Sequence, residues 1–300
     1  MPEVPVRYVS PDEDSARWIG FPFRQGDIVI STRSKSGTTW LQMICALLIF
    51  QTPAPPKPLL ELSPWLDLLV AAKDVVRAQL EAQPHRRFIK THTPLDGIPV
   101  DKRATYVVVA REPLDMAVSL YHQGANLDRE RMRALTAQAV GNPPEPAWPR
   151  PPRAPLREWL LGWIDQDVSH LEEMDSLPGV MWHLSDAWGR RDRPNIVLVH
   201  YDDLVGDLGG EMRRLAGRLD IQVPEKLWPT LVLAATFTSM RAHAEELAPN
   251  HSGILKDNAA FFRRGTSGSA REVLTDNELS HYRDRVARLA TPDLLDWLHR

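Results

Sequence analysis

The sequence predicts an α/β protein built on a doubly wound parallel sheet flanked by helices. Three observations carry that prediction. Short apolar runs of strand length alternate with helix-length segments along the chain. One run, Thr105-Tyr106-Val107-Val108-Val109-Ala110, is so uniformly apolar and β-branched that both of its faces must be buried. A polar, glycine-containing loop lies between the first strand and the first helix, where folds of this class hold phosphate groups.

The elements follow in order. Ile28, Val29 and Ile30 predict a strand over 26–31, and the apolar stretch 39–50 predicts a helix, stopped by four prolines within 52–58. Apolar residues at helical spacing predict a helix over 65–83. A second strand is expected at 87–91, a third at 105–110, and a helix at 113–121. The proline-rich segment 141–152 can form neither helix nor central strand, so it reads as an exposed loop over a site. Helices resume from residue 156, a fourth strand is expected at 195–200, and 208–219 has helical periodicity. The last third reads as mostly helical around a basic, glycine-containing stretch. No internal repeat interrupts this order, and the chain of 300 residues reads as one domain, 1–300.

Composition narrows the function. A formal charge of −3 gives no general attraction to polyanions, which argues against nucleic acid as a partner. The single cysteine, Cys45, cannot form an intramolecular disulfide and sits in an apolar run, so it reads as a buried small side chain. The N-terminal residues carry acids and lack a signal peptide's basic start and apolar core, and no apolar stretch reaches the roughly 20 residues a bilayer requires. The expectation is a cytoplasmic protein without stable membrane insertion.

The loop after the first strand reads Ser31-Thr32-Arg33-Ser34-Lys35-Ser36-Gly37-Thr38-Thr39-Trp40. Gly37 permits a tight turn, the free N–H groups of the next helix converge, and hydroxyls add donors, which together make an anion cradle. The structural alternative is a polar turn with good capping residues. Position favours the cradle. The pattern GxxxxGK[ST] is not met, because Lys35 precedes Gly37, which argues against a phosphoryl-transferring kinase.

Lys35-Ser36-Gly37-Thr38-Thr39-Trp40 resembles the 5′-phosphosulfate-binding motif of the cytosolic-type sulfotransferase family, here as in a bacterial member. Arg111-Glu112-Pro113-Leu114-Asp115, with Ser119 following, is similar to that family's R-x-P-x-D-x-x-x-S signature. Lys90-Thr91-His92-Thr93-Pro94, Tyr201-Asp202-Asp203-Leu204, Thr236-Phe237 with Met240, and Phe262-Arg263-Arg264-Gly265 with Gly268 also resemble its motifs. The matches occur in order over roughly residues 25–275.

The resemblance implies a sulfotransferase architecture with a P-loop-like cradle, and transfer of a sulfuryl group from 3′-phosphoadenosine 5′-phosphosulfate (PAPS) to a hydroxyl of a small acceptor. The product would be adenosine 3′,5′-bisphosphate, and no metal would be needed. His92 would be the general base, two residues beyond Lys90 and so on the same face if the strand continues. Lys35 would meet the bridging oxygen and Lys90 the sulfuryl oxygens. Ser36, Gly37, Thr38 and Thr39 would hold the 5′-phosphate; Arg111 and Ser119, with Arg263, Arg264 and Gly265, the 3′-phosphate. Trp40 and Phe237 would stack on adenine, with Tyr201 near the purine edge, and Thr236, Met240 and Phe262 would also belong to the cofactor-binding site.

Departures from the pattern also matter. Arg33-Ser34 stands where Tyr-Pro is common, and Gly268 is followed by Ser269-Ala270-Arg271. The dimer motif KxxxTVxxxE is degraded, with Arg271 and Thr275 in place but Asp276 where Val belongs, so monomer and homodimer both stay open. A nucleotide-binding scaffold without turnover is the competing class, and the pair Lys90 and His92 argues against it. The acceptor pocket is expected from 59–76, 121–155 and 241–256, with Trp65, Trp148 and Trp159 either as apolar walls or as plain packing residues. An aromatic, steroid or lipid alcohol fits those apolar walls better than a free sugar.

Overall fold

A computed structural model describes residues 4–141, 153–250 and 252–300. Among these, four strands form one parallel sheet: β1 (Ile28–Ser31), β2 (Phe88–Thr91), β3 (Thr105–Ala110) and β4 (Ile196–His200), in the order β2-β1-β3-β4. The sheet is buried on both faces because successive side chains alternate between two apolar layers. Ile28, Ile30, Val107, Val109, Val197 and Val199 pack with Leu41, Ile44 and Leu48 on one side. Val29, Ile89, Tyr106, Val108 and Ile196 pack with Trp18, Phe21, Leu66 and Leu80 on the other. A third layer joins the helices Pro113–Asn126, Leu156–Asp165 and Leu177–Gly189 to the C-terminal helices.

Strand order reverses beside β1: the chain crosses from β1 to β2 on one side and returns to place β3 on the other. Ligands of such sheets bind beyond the carboxyl ends of the strands at this reversal. The loop after β1 and Arg111 after β3 therefore open onto the same crevice. Helix α1 (Thr38–Phe50) begins there and is buried along most of its length. Cys45 lies within it, 1% exposed, and burial pushes its thiol up to about 12, which leaves it no chemistry.

Three regions differ from expectation, one of them the helix Arg129–Val140, which is not expected from the sequence. Residues 65–83 form a helix only over Lys73–Ala82. Pro64 accepts a hydrogen bond from the Lys90 N–H at 3.0 Å and Trp65 bridges to Lys90, so this stretch extends along the end of β2 instead of coiling. The helix expected at 113–121 continues to Asn126, which brings Gln123 to the crevice. The loop over 141–152, with Trp148, lies outside the described residues from 142 onward.

Candidate active site

A cavity of about 1980 Å³ opens at the carboxyl ends of the strands. Backbone geometry shapes its phosphate-loop wall. Lys35 (φ +64°) and Gly37 (φ +107°) are both left-handed, and Gly37 caps α1 without any side-chain hydrogen bond. The first N–H groups of α1 are therefore open to an anion, aided by the helix dipole. A Cβ at position 37 would lie 3.2 Å from the Tyr201 ring, a tight contact that adds to the left-handed backbone in favouring glycine.

Cations crowd this wall. Arg111 donates to the Lys35 carbonyl (2.9 Å) and the Thr266 carbonyl (3.2 Å), tying the phosphate loop to the late loop, and lies 4.3 Å over the Tyr201 ring. Its Nε is buried without a partner, as is that of Arg263. Lys35 reaches Gln123 at 3.4 Å and sits 3.9 Å over Phe261. Burial, then Arg111, Lys90 and Arg263, lower the Lys35 amine to about 7. Among the described residues none of Lys35, Arg111 or Arg263 is in an ion pair, so an anionic ligand at this wall would meet cations without a bonded counter-charge.

Trp40, Phe237, Tyr201, Met240, Phe262 and Gly265 line the same cavity, as does Ser119. Trp40 donates its indole N–H to the Ala235 carbonyl at 2.8 Å and meets Tyr201 edge-on. Gly265 (φ +68°) lies so close to Phe237 that a Cβ would overlap its ring. Three residues stand apart. The Thr236 hydroxyl caps the helix Phe237–Ala242, and Ser36 is buried beneath the loop, neither on the cavity wall. Arg264 reaches the wall but pairs with exposed Glu272 at 2.7 Å.

On the far side, His92 follows β2 by one residue. Lys90 Nζ lies 3.7 Å over the Trp65 ring, and the His92 ring meets the same indole edge-on at 4.4 Å, so the two share one face. His92 Nδ1 bonds the Thr32 carbonyl. A carbonyl only accepts, so Nδ1 carries the proton and Nε2 keeps its lone pair. Burial, with Lys90 and Arg33 adding to it, lowers the His92 pKa well below the ordinary imidazole value, so the ring is neutral near pH 7. Lys90 is lowered to about 8 by burial.

Arg33 stands out in the sequence only as a departure from pattern, yet it organises this side. It is 3% exposed, donates to the His92 carbonyl and pairs with Asp175 at 2.5 Å. Asp67 lies below and accepts from Thr93 (2.7 Å), Thr91 and Trp18. Only the odd Arg33 could have drawn notice in the sequence; Asp175 and Asp67 leave no local signal. Trp65 and Trp159 both line the cavity. Among the described residues no cluster of His, Cys, Asp or Glu could hold a metal ion, and no helix is long and apolar enough to cross a membrane.

Comparison with known proteins identifies the family. The family model described as Sulfotransferase domain matches residues 25–292. The chain is 41% identical to a glycolipid sulfotransferase of Mycobacterium bovis, over 98% of this chain and 94% of that protein. It is 42% identical to the one of Mycobacterium tuberculosis over the same shares. Among solved structures, mouse sulfotransferase SULT7A1 complexed with PAP aligns with a TM-score of 0.68 at 18% identity, covering 95% of this chain and 92% of that one. Retinol dehydratase in complex with androsterone and PAP aligns at 0.67 and 19%, covering 93% and 86%.

Proposed function

We propose that this chain, which belongs to the sulfotransferase domain family and is a sulfotransferase, takes its sulfuryl group from PAPS and delivers it to a hydroxyl of a glycolipid-like acceptor. The observation that carries the donor assignment is the cluster of unpaired cations around the uncapped start of α1. A nucleotide bearing phosphate at both ends suits it: the loop 35–39 would hold the 5′-phosphate, and Arg111, Ser119 and Arg263 the 3′-phosphate. Trp40, Phe237 and Tyr201 offer aromatic surface for a purine.

PAPS supplies the sulfuryl group for in-line displacement. His92 Nε2 takes the proton of the attacking hydroxyl, Lys35 donates to the oxygen left on the departing phosphate, and Lys90 meets the sulfuryl oxygens. The cavity is larger than the roughly 300–1,000 Å³ typical of small-ligand sites, which leaves room for an elongated acceptor beside the nucleotide. The two mycobacterial relatives carry glycolipid in their names, and the apolar wall formed by Trp65, Leu68 and Val76 suits a lipid. We read the chain as one catalytic unit, because apolar layers cover both faces of a single sheet and a third packs the remaining helices beside it.

Incubation with PAPS labelled in its sulfate, across phenols, steroids, glycolipids and sugars, tests both halves. Label should appear on glycolipid. Bisphosphate binding with no transfer to any acceptor would point to a scaffold, and transfer from ATP instead of PAPS to a kinase.

Gly265→Ala gives an independent check of the nucleotide wall. The new methyl would overlap Phe237 at a left-handed φ, so the loop must shift. Calorimetry should find affinity for adenosine 3′,5′-bisphosphate reduced by about tenfold or more, within the range for overpacking and backbone strain. Unchanged affinity would remove this loop from the nucleotide site.

A further inference from the structure

Glu13 lies on the acceptor side of the cavity, distant in sequence from every motif. Its backbone is pinned: the N–H donates to Ser10 Oγ at 3.0 Å, and a bridge joins the residue to Leu68. The side chain, 9% exposed, lines the same cavity as Lys90, His92 and Trp65. Among the described residues its carboxyl makes no hydrogen bond and no ion pair, and Oε2 is fully buried.

The neighbouring charged groups are engaged elsewhere. Arg33 bonds Asp175 and the His92 carbonyl, and Lys90 lies over Trp65. Asp67, the next buried acid, is the contrast, since its Oδ2 accepts from Thr91, Thr93 and Trp18 and so ties β2 to its surroundings. Glu13 ties nothing together. Burial, reinforced by Asp67 and Asp175 and opposed by Arg33 and Lys90, raises its carboxyl to about 8. At neutral pH it therefore carries a proton and offers one O–H donor beside one carbonyl acceptor. A buried carboxyl without a partner works against folding, and packing supplies no reason for glutamate here. What can satisfy it is a group that enters the cavity.

We propose that Glu13 is an acceptor-recognition residue whose carboxyl hydrogen-bonds a hydroxyl of the acceptor's polar head beside the hydroxyl that reacts, so that sugar-like heads are preferred over simple alcohols. This rests on the glycolipid-like acceptor proposed above. A carboxyl hydrogen bond to one ring hydroxyl beside the reacting one suits a sugar-like head, whereas a simple alcohol reaching His92 would leave Glu13 unmet. Discrimination of this kind is strong because the disfavoured ligand strands a buried polar group.

The test compares an alkyl glucoside with the alkyl alcohol of the same chain length, using labelled PAPS with the wild type, Glu13→Gln and Glu13→Leu. The ratio of kcat/KM for glucoside over alcohol should fall about 10- to 100-fold in Glu13→Leu, with a smaller fall in Glu13→Gln, which keeps a donor and an acceptor. Retained binding of adenosine 3′,5′-bisphosphate shows that a variant is folded, and Glu13→Gln serves should the leucine variant not fold. A ratio unchanged in both variants, or a wild type that does not prefer the glucoside, overturns the inference. Absence of transfer from PAPS by the wild type to every acceptor would instead overturn the function on which it rests.

Discussion

His92→Ala should lower turnover by at least about two orders of magnitude while leaving affinity for adenosine 3′,5′-bisphosphate unchanged. The size follows from how little else could take the proton. The Thr32 carbonyl holds the Nδ1 proton, which leaves Nε2 as the acceptor, and Trp65 and Arg33 fix the ring through its edge and its own carbonyl. Affinity should survive because the anion cradle lies on the other wall, at the start of α1. The pH profile has a definite sign. A base works when deprotonated, and burial beside Lys90 and Arg33 keeps this pKa well below the ordinary imidazole value. The acid limb of kcat should therefore lie below the usual histidine range, and turnover should not fall between pH 7 and pH 6.5 on account of this group. Single-turnover measurements with labelled PAPS on the wild type and variant would show both effects, and turnover retained in His92→Ala would end the role of base.

What could be read from the sequence follows the range of the interactions involved. The sheet was legible because runs such as Thr105–Ala110 declare burial on both faces locally, and the phosphate loop because its donors lie within nine residues of β1. Helix Arg129–Val140 escaped because it buries no residue, so no apolar face marks it; only Asp128 as N-cap, accepting from the Arg131 N–H at 2.9 Å, was there to be seen. The helical spacing over 65–83 misled because Pro64 and Trp65 answer to the end of β2, a partner 25 residues away. The acceptor side was least legible. Arg33 meets Asp175 across 142 residues and Glu13 faces groups from several segments, so no periodicity could bring them together.

Lys35→Ala should lower kcat/KM for PAPS by about 10²- to 10³-fold, the range found when one preorganised donor to a developing oxyanion is removed. The same residue should leave a signature in binding. In the free protein its amine is lowered to about 7, chiefly by burial and then by Arg111, Lys90 and Arg263. A phosphate brought against it favours the ammonium, so its pKa rises on binding and a proton is taken up. Affinity for the bisphosphate should therefore weaken as pH rises above about 7, by up to about tenfold per pH unit from this group. The phosphates themselves are ionised there, with second pKa values near about 6, so they do not produce the slope. Lys90 lies over Trp65 on the far wall and is assigned to sulfuryl oxygens that the bisphosphate lacks, so the difference between wild type and Lys35→Ala isolates the Lys35 contribution. Calorimetric titrations in buffers of different ionisation enthalpy would count the proton directly. Equal slopes in the two proteins would mean that Lys35 does not touch the leaving phosphate, and its place over Phe261 would then be structural.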